Sequence, residues 1–301
     1  MALNENSKIL ITGCGGMLGE AVYAELKDKY KIYATDIDLN EPWLKFLDVT
    51  MQDDIDKYFK KIKPDAILHL AALTDMEYCQ LNPEHAFDVN FIGTANMARI
   101  SKSYKIPLIY ISTAGIFDGK KQSYVESDMA NPLSVYAKSK YAGELAVLAI
   151  PRSIIIRAGW MLGGGPKKDK KFTNKIIKQI RKGVKELLVV NDKVSTPTYT
   201  YDLAKTIDYL LKNNLYGIYH EACGGNCSRV DMAKLILKNF KLDKKIKIKI
   251  VNSQYFHSEY FAPRPVSENL ATLKIRSINP SLVRNWQDCL KEYLNKFDWN
   301  I

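Results

Sequence analysis

Two periodicities alternate along the first part of the chain. Short apolar runs rich in β-branched residues, at Lys8–Thr12, Lys31–Thr35, Ala66–Leu70 and Pro107–Ile111, predict buried strands. Between them apolar positions recur at helical spacing, from Met17 to about Lys27, over Asp53–Ile62 and over Pro83–Ser103. Pro64 stops the second helix, and Asn82-Pro83 predicts the start of the third, as cap and first-turn residue. Strands this short and this uniformly apolar are buried on both faces, so the alternation predicts a parallel sheet clothed in helices. Farther on, Arg152–Arg157 and Leu187–Asn191 predict strands, and Val135–Leu148, Phe172–Lys182, Tyr201–Lys212, Ser228–Phe240 and Pro280–Phe297 predict helices. Lys245–Val251 alternates strictly, with lysines on one face and isoleucines on the other. That pattern predicts an edge strand whose charges discourage aggregation.

The fold class that follows is α/β, a doubly wound parallel sheet of the Rossmann kind with a smaller C-terminal α/β part. The first part is expected over residues 1–160, with a return segment at about 187–220. The second is expected over residues 161–186 and 221–301. The Gly/Pro/Lys stretch Gly163–Lys171 predicts a mobile loop or a crossing between them, and the lysines of Lys167–Lys171 read as solvated.

Composition narrows the function. Residues 1–150 carry a net charge of −4 and residues 151–301 a net +15, mostly from lysine (36 Lys against 8 Arg in the whole chain). The basic excess lies among apolar helix and strand faces, without a recognised nucleic-acid module, so nucleic-acid binding is not expected. No run approaches a membrane span, and Met1–Ser7 is too short and polar for a signal peptide. Five scattered cysteines, an odd count, fit a reducing cytoplasm. Cys223 and Cys227 lack a second ligand pair, so no metal is expected.

The chemistry begins at Gly13-Cys14-Gly15-Gly16-Met17-Leu18-Gly19, which follows a strand and opens a helix. Glycines there permit a tight turn and let backbone N–H groups at a helix N-terminus approach a pyrophosphate. Asp36 ends the second strand. A carboxylate at that place accepts from a ribose 2′-OH and repels a 2′-phosphate, which favours NAD over NADP. A second signal is Tyr136-x-x-x-Lys140. On a helix this spacing puts both side chains on one face, where an ammonium would lower the phenol pKa toward neutrality. Ser112-Thr113 emerges from the end of the fourth strand, where hydroxyls line the ligand crevice of an open sheet.

Together with Asn90, Ala71-Ala72-Leu-Thr74-Asp75, Asn131-Pro132, Arg157-x-x-Trp160 and Arg264-Pro265-x-Ser267, these motifs resemble the extended short-chain dehydrogenase/reductases. Within them the chain is most similar to the dTDP-4-dehydrorhamnose reductase subgroup, over almost its whole length. The resemblance implies Tyr136 as general acid, Lys140 as its cation and a nicotinamide-ribose contact, and Thr113 as the hydroxyl on the reacting carbonyl, with Ser112 in reserve. It implies NAD or NADP held by Gly13, Gly16, Met17, Leu18, Gly19, Asp36, Asp48, Val49, Ala71, Ala72, Asn90, Tyr136 and Lys140. It places Thr74, Ser112, Trp160 and Arg264 on the substrate side, Arg264 as first choice for a phosphate and Arg229 behind it as a solvated side chain. The expected protein is a cytoplasmic homodimer reducing a nucleotide-linked 4-keto-deoxysugar. An epimerase or dehydratase with tightly held NAD, and a non-catalytic cofactor-binding regulatory subunit, are the alternatives. Ala114-Gly115 stands where the subgroup usually carries Asp-Tyr, and Ser195 where it carries Gly, which leaves the sugar open.

Overall fold

The computed structural model describes residues 3–301. Seven parallel strands form the main sheet, in the spatial order Gly217–Glu221, Ser153–Ala158, Leu108–Thr113, Ala66–His69, Lys8–Thr12, Lys31–Asp36 and Lys45–Phe46. The central strands are buried on both faces, as their unbroken apolar runs require. One core lies on the face covered by Met17–Leu26 and Thr200–Lys212, the other on the face covered by Gln52–Ile62, Gly93–Tyr104 and Val135–Leu148. Strand order reverses between Lys8–Thr12 and Ala66–His69. A crevice therefore opens there beyond the strand ends, the usual ligand position in such sheets.

The helix expected over Pro83–Ser103 is in fact Pro83–Phe87, a π-helical turn Asp88–Ile92, and Gly93–Tyr104. Asn90 sits in that turn, and tertiary bonds to it, described below, take precedence over the plain helical period. Asn82 does not cap with its side chain; its amide donates to the Tyr78 carbonyl at 3.0 Å, closing a helix Met76–Leu81 that the sequence reading lacked. The C-terminal helix begins at Trp286, because Asn285 accepts from the Gln287 N–H at 2.9 Å and caps it there; Leu273–Ile278 and the 3₁₀ turn Pro280–Leu282 are separate pieces.

The return to the main sheet is also shorter than expected. Glu186–Val190 pairs in parallel with Lys247–Val251 in a separate two-stranded sheet, so residues 187–191 belong with the second core. What returns is the helix Thr200–Lys212 and the strand Gly217–Glu221, the latter absent from the sequence expectation. Tyr30 and Lys29 both bond to Asp208, at 2.9 and 2.7 Å, and pin that helix to the first βα unit. Two small ladders, Trp160–Leu162 with Pro197–Tyr199 and Cys227–Ser228 with Val194–Ser195 and Ser267–Glu268, carry the chain across the crevice. Among the described residues no helix is long and apolar enough to cross a membrane, and no group of three or more His, Cys, Asp or Glu side chains could hold a metal ion.

Candidate active site

The glycines of the first turn have three distinct jobs. Gly13 has φ +67°, and a Cβ there would lie 2.4 Å from the Ala71 nitrogen, so its absent side chain lets two strand ends meet. A Cβ on Gly19 would lie 2.3 Å from the Cys14 carbonyl oxygen, so that glycine seats the helix on the strand. Only Gly16 faces open space, with nothing but the Gly13 oxygen at 3.5 Å. The expectation that all three cradle a ligand therefore narrows to Gly16 and the adjoining backbone, at the N-terminus of the ten-residue helix Met17–Leu26. The cradle fits a dinucleotide pyrophosphate: it is open where a phosphate must approach and closed where the fold must pack.

Asp36 lies beside this turn, where its carboxylate accepts from the Gly15 N–H at 2.9 Å and from the Asp38 N–H at 3.1 Å. Asp48 accepts from the Thr50 N–H and hydroxyl at 2.9 and 2.8 Å, so it shapes a turn in the cleft wall. Val49 packs under Gly93, and Met17, Leu18, Ala71 and Ala72 line the cleft. Asn90 does not line it. Its side chain is fully buried and bonds the Leu73 N–H, the Leu73 carbonyl and the Ser139 hydroxyl at 2.8 to 3.0 Å. Asn90 is thus a positioning residue, welding the segment after Ala66–His69 to the helix that bears Tyr136. Lys168 corrects another expectation. Far from being solvated, its side chain is 9% exposed and its ammonium lies 2.9 Å from Glu41 and 3.5 Å from Glu20. Lys168 therefore ties the stretch Gly163–Lys171 to Glu20 and, in the cleft wall, to Glu41.

Tyr136, Thr113 and Lys140 meet at the cleft floor. Ser134 caps their helix by accepting from the Ala137 N–H at 3.2 Å, which starts Val135–Leu148 in the register that turns Tyr136 and Lys140 inward. The phenol behaves differently from the expectation. Burial pushes Tyr136 up to about 12, with the Thr113 hydroxyl acting in the opposite direction. Lys140 is buried, stands 4.2 Å above the centre of the Tyr110 ring, and is lowered to about 7 by that burial, with Glu144 pulling it back up. Desolvation is the largest influence on both groups, which spacing alone could not reveal.

Ser112 also departs from its expected part. Its hydroxyl donates to Glu144 Oε2 at 2.5 Å, and Glu144 is in turn ion-paired with Arg157 at 2.7 Å, both side chains almost wholly buried. Ser112 is therefore committed to a buried network, which leaves Thr113 as the hydroxyl for the cleft.

On the opposite wall the arginine ranking reverses. Arg264, the first choice for a phosphate, is spent on Glu77 at 2.8 Å. Arg229 lies 3.4 Å above the Trp160 ring and 4.8 Å from that of Phe172, with no acidic ion-pair partner among the described residues. Contact with the two aromatic rings holds the guanidinium in place at the cleft. The signal was available in the sequence only as one of eight arginines. Trp160 lines the cleft and donates its indole N–H to Glu268 Oε2 at 2.6 Å, and Thr74 receives the Lys171 ammonium at 3.4 Å. Sequence reasoning missed Glu268 altogether. The cleft measures about 1880 Å³, well beyond the roughly 300–1,000 Å³ of a single small-ligand pocket, so two ligands fit side by side.

A glycine turn, a strand-end hydroxyl and a Tyr-Lys helix gathered at one switch point of a parallel sheet define the extended short-chain dehydrogenase/reductase group of nicotinamide-dependent oxidoreductases. Within it, the chain belongs to the family described as RmlD substrate binding domain, whose model matches residues 7–299. It is 31% identical over 295 residues to the spore coat polysaccharide biosynthesis protein SpsK of Bacillus subtilis, covering 96% of this chain and 98% of that one. It is 30% identical over 302 residues to dTDP-4-dehydrorhamnose reductase of Aggregatibacter actinomycetemcomitans, covering 95% and 97%. Among solved structures, dTDP-4-dehydrorhamnose reductase of Bacillus anthracis in complex with NADP superposes with a TM-score of 0.87 at 29% identity, over 97% of this chain and all of that one.

Proposed function

We propose that this protein reduces the carbonyl of a nucleotide-activated 4-keto-deoxysugar with NADH or NADPH. The observation that carries the reading is the meeting of Thr113, Tyr136 and Lys140 on the floor of a cleft large enough for a dinucleotide and a nucleotide-sugar. The names of the Aggregatibacter and Bacillus anthracis relatives support the substrate class. Gly16 and the helix N-terminus would hold the pyrophosphate, and Asp36 the adenosine ribose. Reduced nicotinamide, when bound, supplies hydride. Tyr136 gives its phenolic proton to the sugar oxygen while the Thr113 hydroxyl donates to the same oxygen. With its pKa raised to about 12, the phenol holds that proton at neutral pH, the form a reduction consumes. Lys140 in its charged form faces the phenolate left behind. Asp36 favours NADH, while Lys167 beside the cleft supplies positive charge for a 2′-phosphate, so both cofactors belong in the test.

The test is a screen of purified protein against dTDP-, UDP- and GDP-linked keto sugars with NADH and NADPH, followed by loss of nicotinamide absorbance. Stoichiometric consumption is expected; an epimerase or dehydratase would consume none. Tyr136→Phe should bind cofactor normally and lose about 10²–10⁴-fold in kcat, the usual weight of a positioned acid. Retained turnover would remove Tyr136 from this role.

A further inference from the structure

Glu268 has no task in the reading above. It ends the short strand Ser267–Glu268 in the cleft wall. Its Oε2 accepts the Trp160 indole N–H at 2.6 Å, and among the described residues no hydrogen bond ends on its Oε1. That free oxygen sits across from the carbonyl-binding hydroxyl: a Cβ built on Gly115 would lie 3.7 Å from Glu268 Oε1 and 3.4 Å from Thr113 Oγ1. Glu268 is also close enough to act electrostatically on the Tyr136 phenol. Arg229, Arg264 and Lys193 act on it electrostatically, but among the described residues none is ion-paired with it. Glu268 is only half-buried, so its unbonded Oε1 opens on the cleft, where it can accept from a bound ligand. A carboxylate repels phosphate and accepts from hydroxyls, so the donor belongs to the sugar and not to the diphosphate.

We propose that Glu268 is a specificity-determining residue whose Oε1 accepts a hydrogen bond from the sugar hydroxyl on the carbon next to the carbonyl held by Thr113 and Tyr136. This rests on the keto-sugar reading and narrows it: the substrate keeps a hydroxyl beside its keto group. The indole bond from Trp160 fixes the carboxyl plane, so that the free oxygen is preorganised.

The experiment is a cycle of enzyme and substrate. The wild type, Glu268→Ala and Glu268→Gln are each assayed on the nucleotide-linked keto sugar and on its analogue lacking that hydroxyl. A hydrogen bond to a charged group accounts for about 10–100-fold in kcat/KM. Deleting the hydroxyl should cost the wild type that much and cost Glu268→Ala less than about threefold, because both deletions remove one interaction. Glu268→Gln should fall between, its amide oxygen being the weaker acceptor, and serves alone if the alanine variant does not fold. Affinity for free dTDP should not move in either variant. An equal response of all three enzymes to the missing hydroxyl would overturn the assignment. If the wild type reduces no keto sugar, the underlying reading fails separately. Glu268 is then tested by titration calorimetry with the same pair of nucleotide-sugars, where equal affinities would overturn it.

Discussion

Lys140 sits in the fold at a cost that can be measured. Its side chain is 4% exposed, its ammonium rests on the Tyr110 ring, and no hydrogen bond among the described residues reaches that nitrogen. Burial lowers it from 10.5 to about 7. At about 1.4 kcal/mol per pH unit, the charged form costs the folded state at most about 5 kcal/mol. The ring contact returns about 1–2 kcal/mol when Lys140 is charged, so about 3 kcal/mol is the working figure. The sign follows from linkage. The unfolded chain holds this proton more tightly than the folded one, so the cost is full below about pH 7 and fades as pH climbs toward 10.5. Lys140→Met fills the same space without charge. Urea titrations of the two proteins should show the methionine variant more stable by about 3 kcal/mol at pH 6, and by about 1–2 kcal/mol at pH 9. The variant should also be nearly inactive, an exchange of function for stability. A variant no more stable than the wild type at pH 6, or a difference independent of pH, would refute the reasoning.

Two further outcomes follow from the geometry. Gly13→Ala should destabilise by several kcal/mol, because its Cβ would overlap the Ala71 backbone at 2.4 Å, whereas Gly16→Ala should leave thermal stability nearly intact and weaken dinucleotide binding. Calorimetric binding isotherms beside melting curves separate the two effects. Ser112→Ala should cost about 1–3 kcal/mol of unfolding free energy by taking a donor from buried Glu144, readable in the same urea titrations, with KM changing little; a selective rise in KM would return Ser112 to the substrate.

What was legible in the sequence was local. The glycine turn, the strand-end hydroxyls and the Tyr136–Lys140 spacing each occupy a short window, and one periodicity places each on its element. What was hidden was set by distant partners. Arg264 reads as a free phosphate ligand until Glu77, far back in the chain, is seen to hold it. Ser112 and Thr113 are indistinguishable as letters; Glu144 on a later helix turns one of them inward. The Pro83–Ser103 period gave no sign of its π turn, because Asn90 answers to Leu73 and Ser139 and not to its own helix. Burial, which moves Tyr136 and Lys140 apart in proton affinity, depends on the whole sheet above them.

The late return of Gly217–Glu221 to the main sheet matters during synthesis. Until that strand emerges, Ser153–Ala158, buried along its whole length in the finished protein, is a bare hydrophobic edge. The ribosome must add about sixty more residues before the cover arrives, several seconds at about 5–20 residues per second. A nascent chain paused in that interval offers a template for pairing with its neighbours. Slow codons or starvation that act after Ser153–Ala158 has left the ribosome and before Gly217–Glu221 has done so should therefore lower the yield of soluble protein more than the same delay placed later.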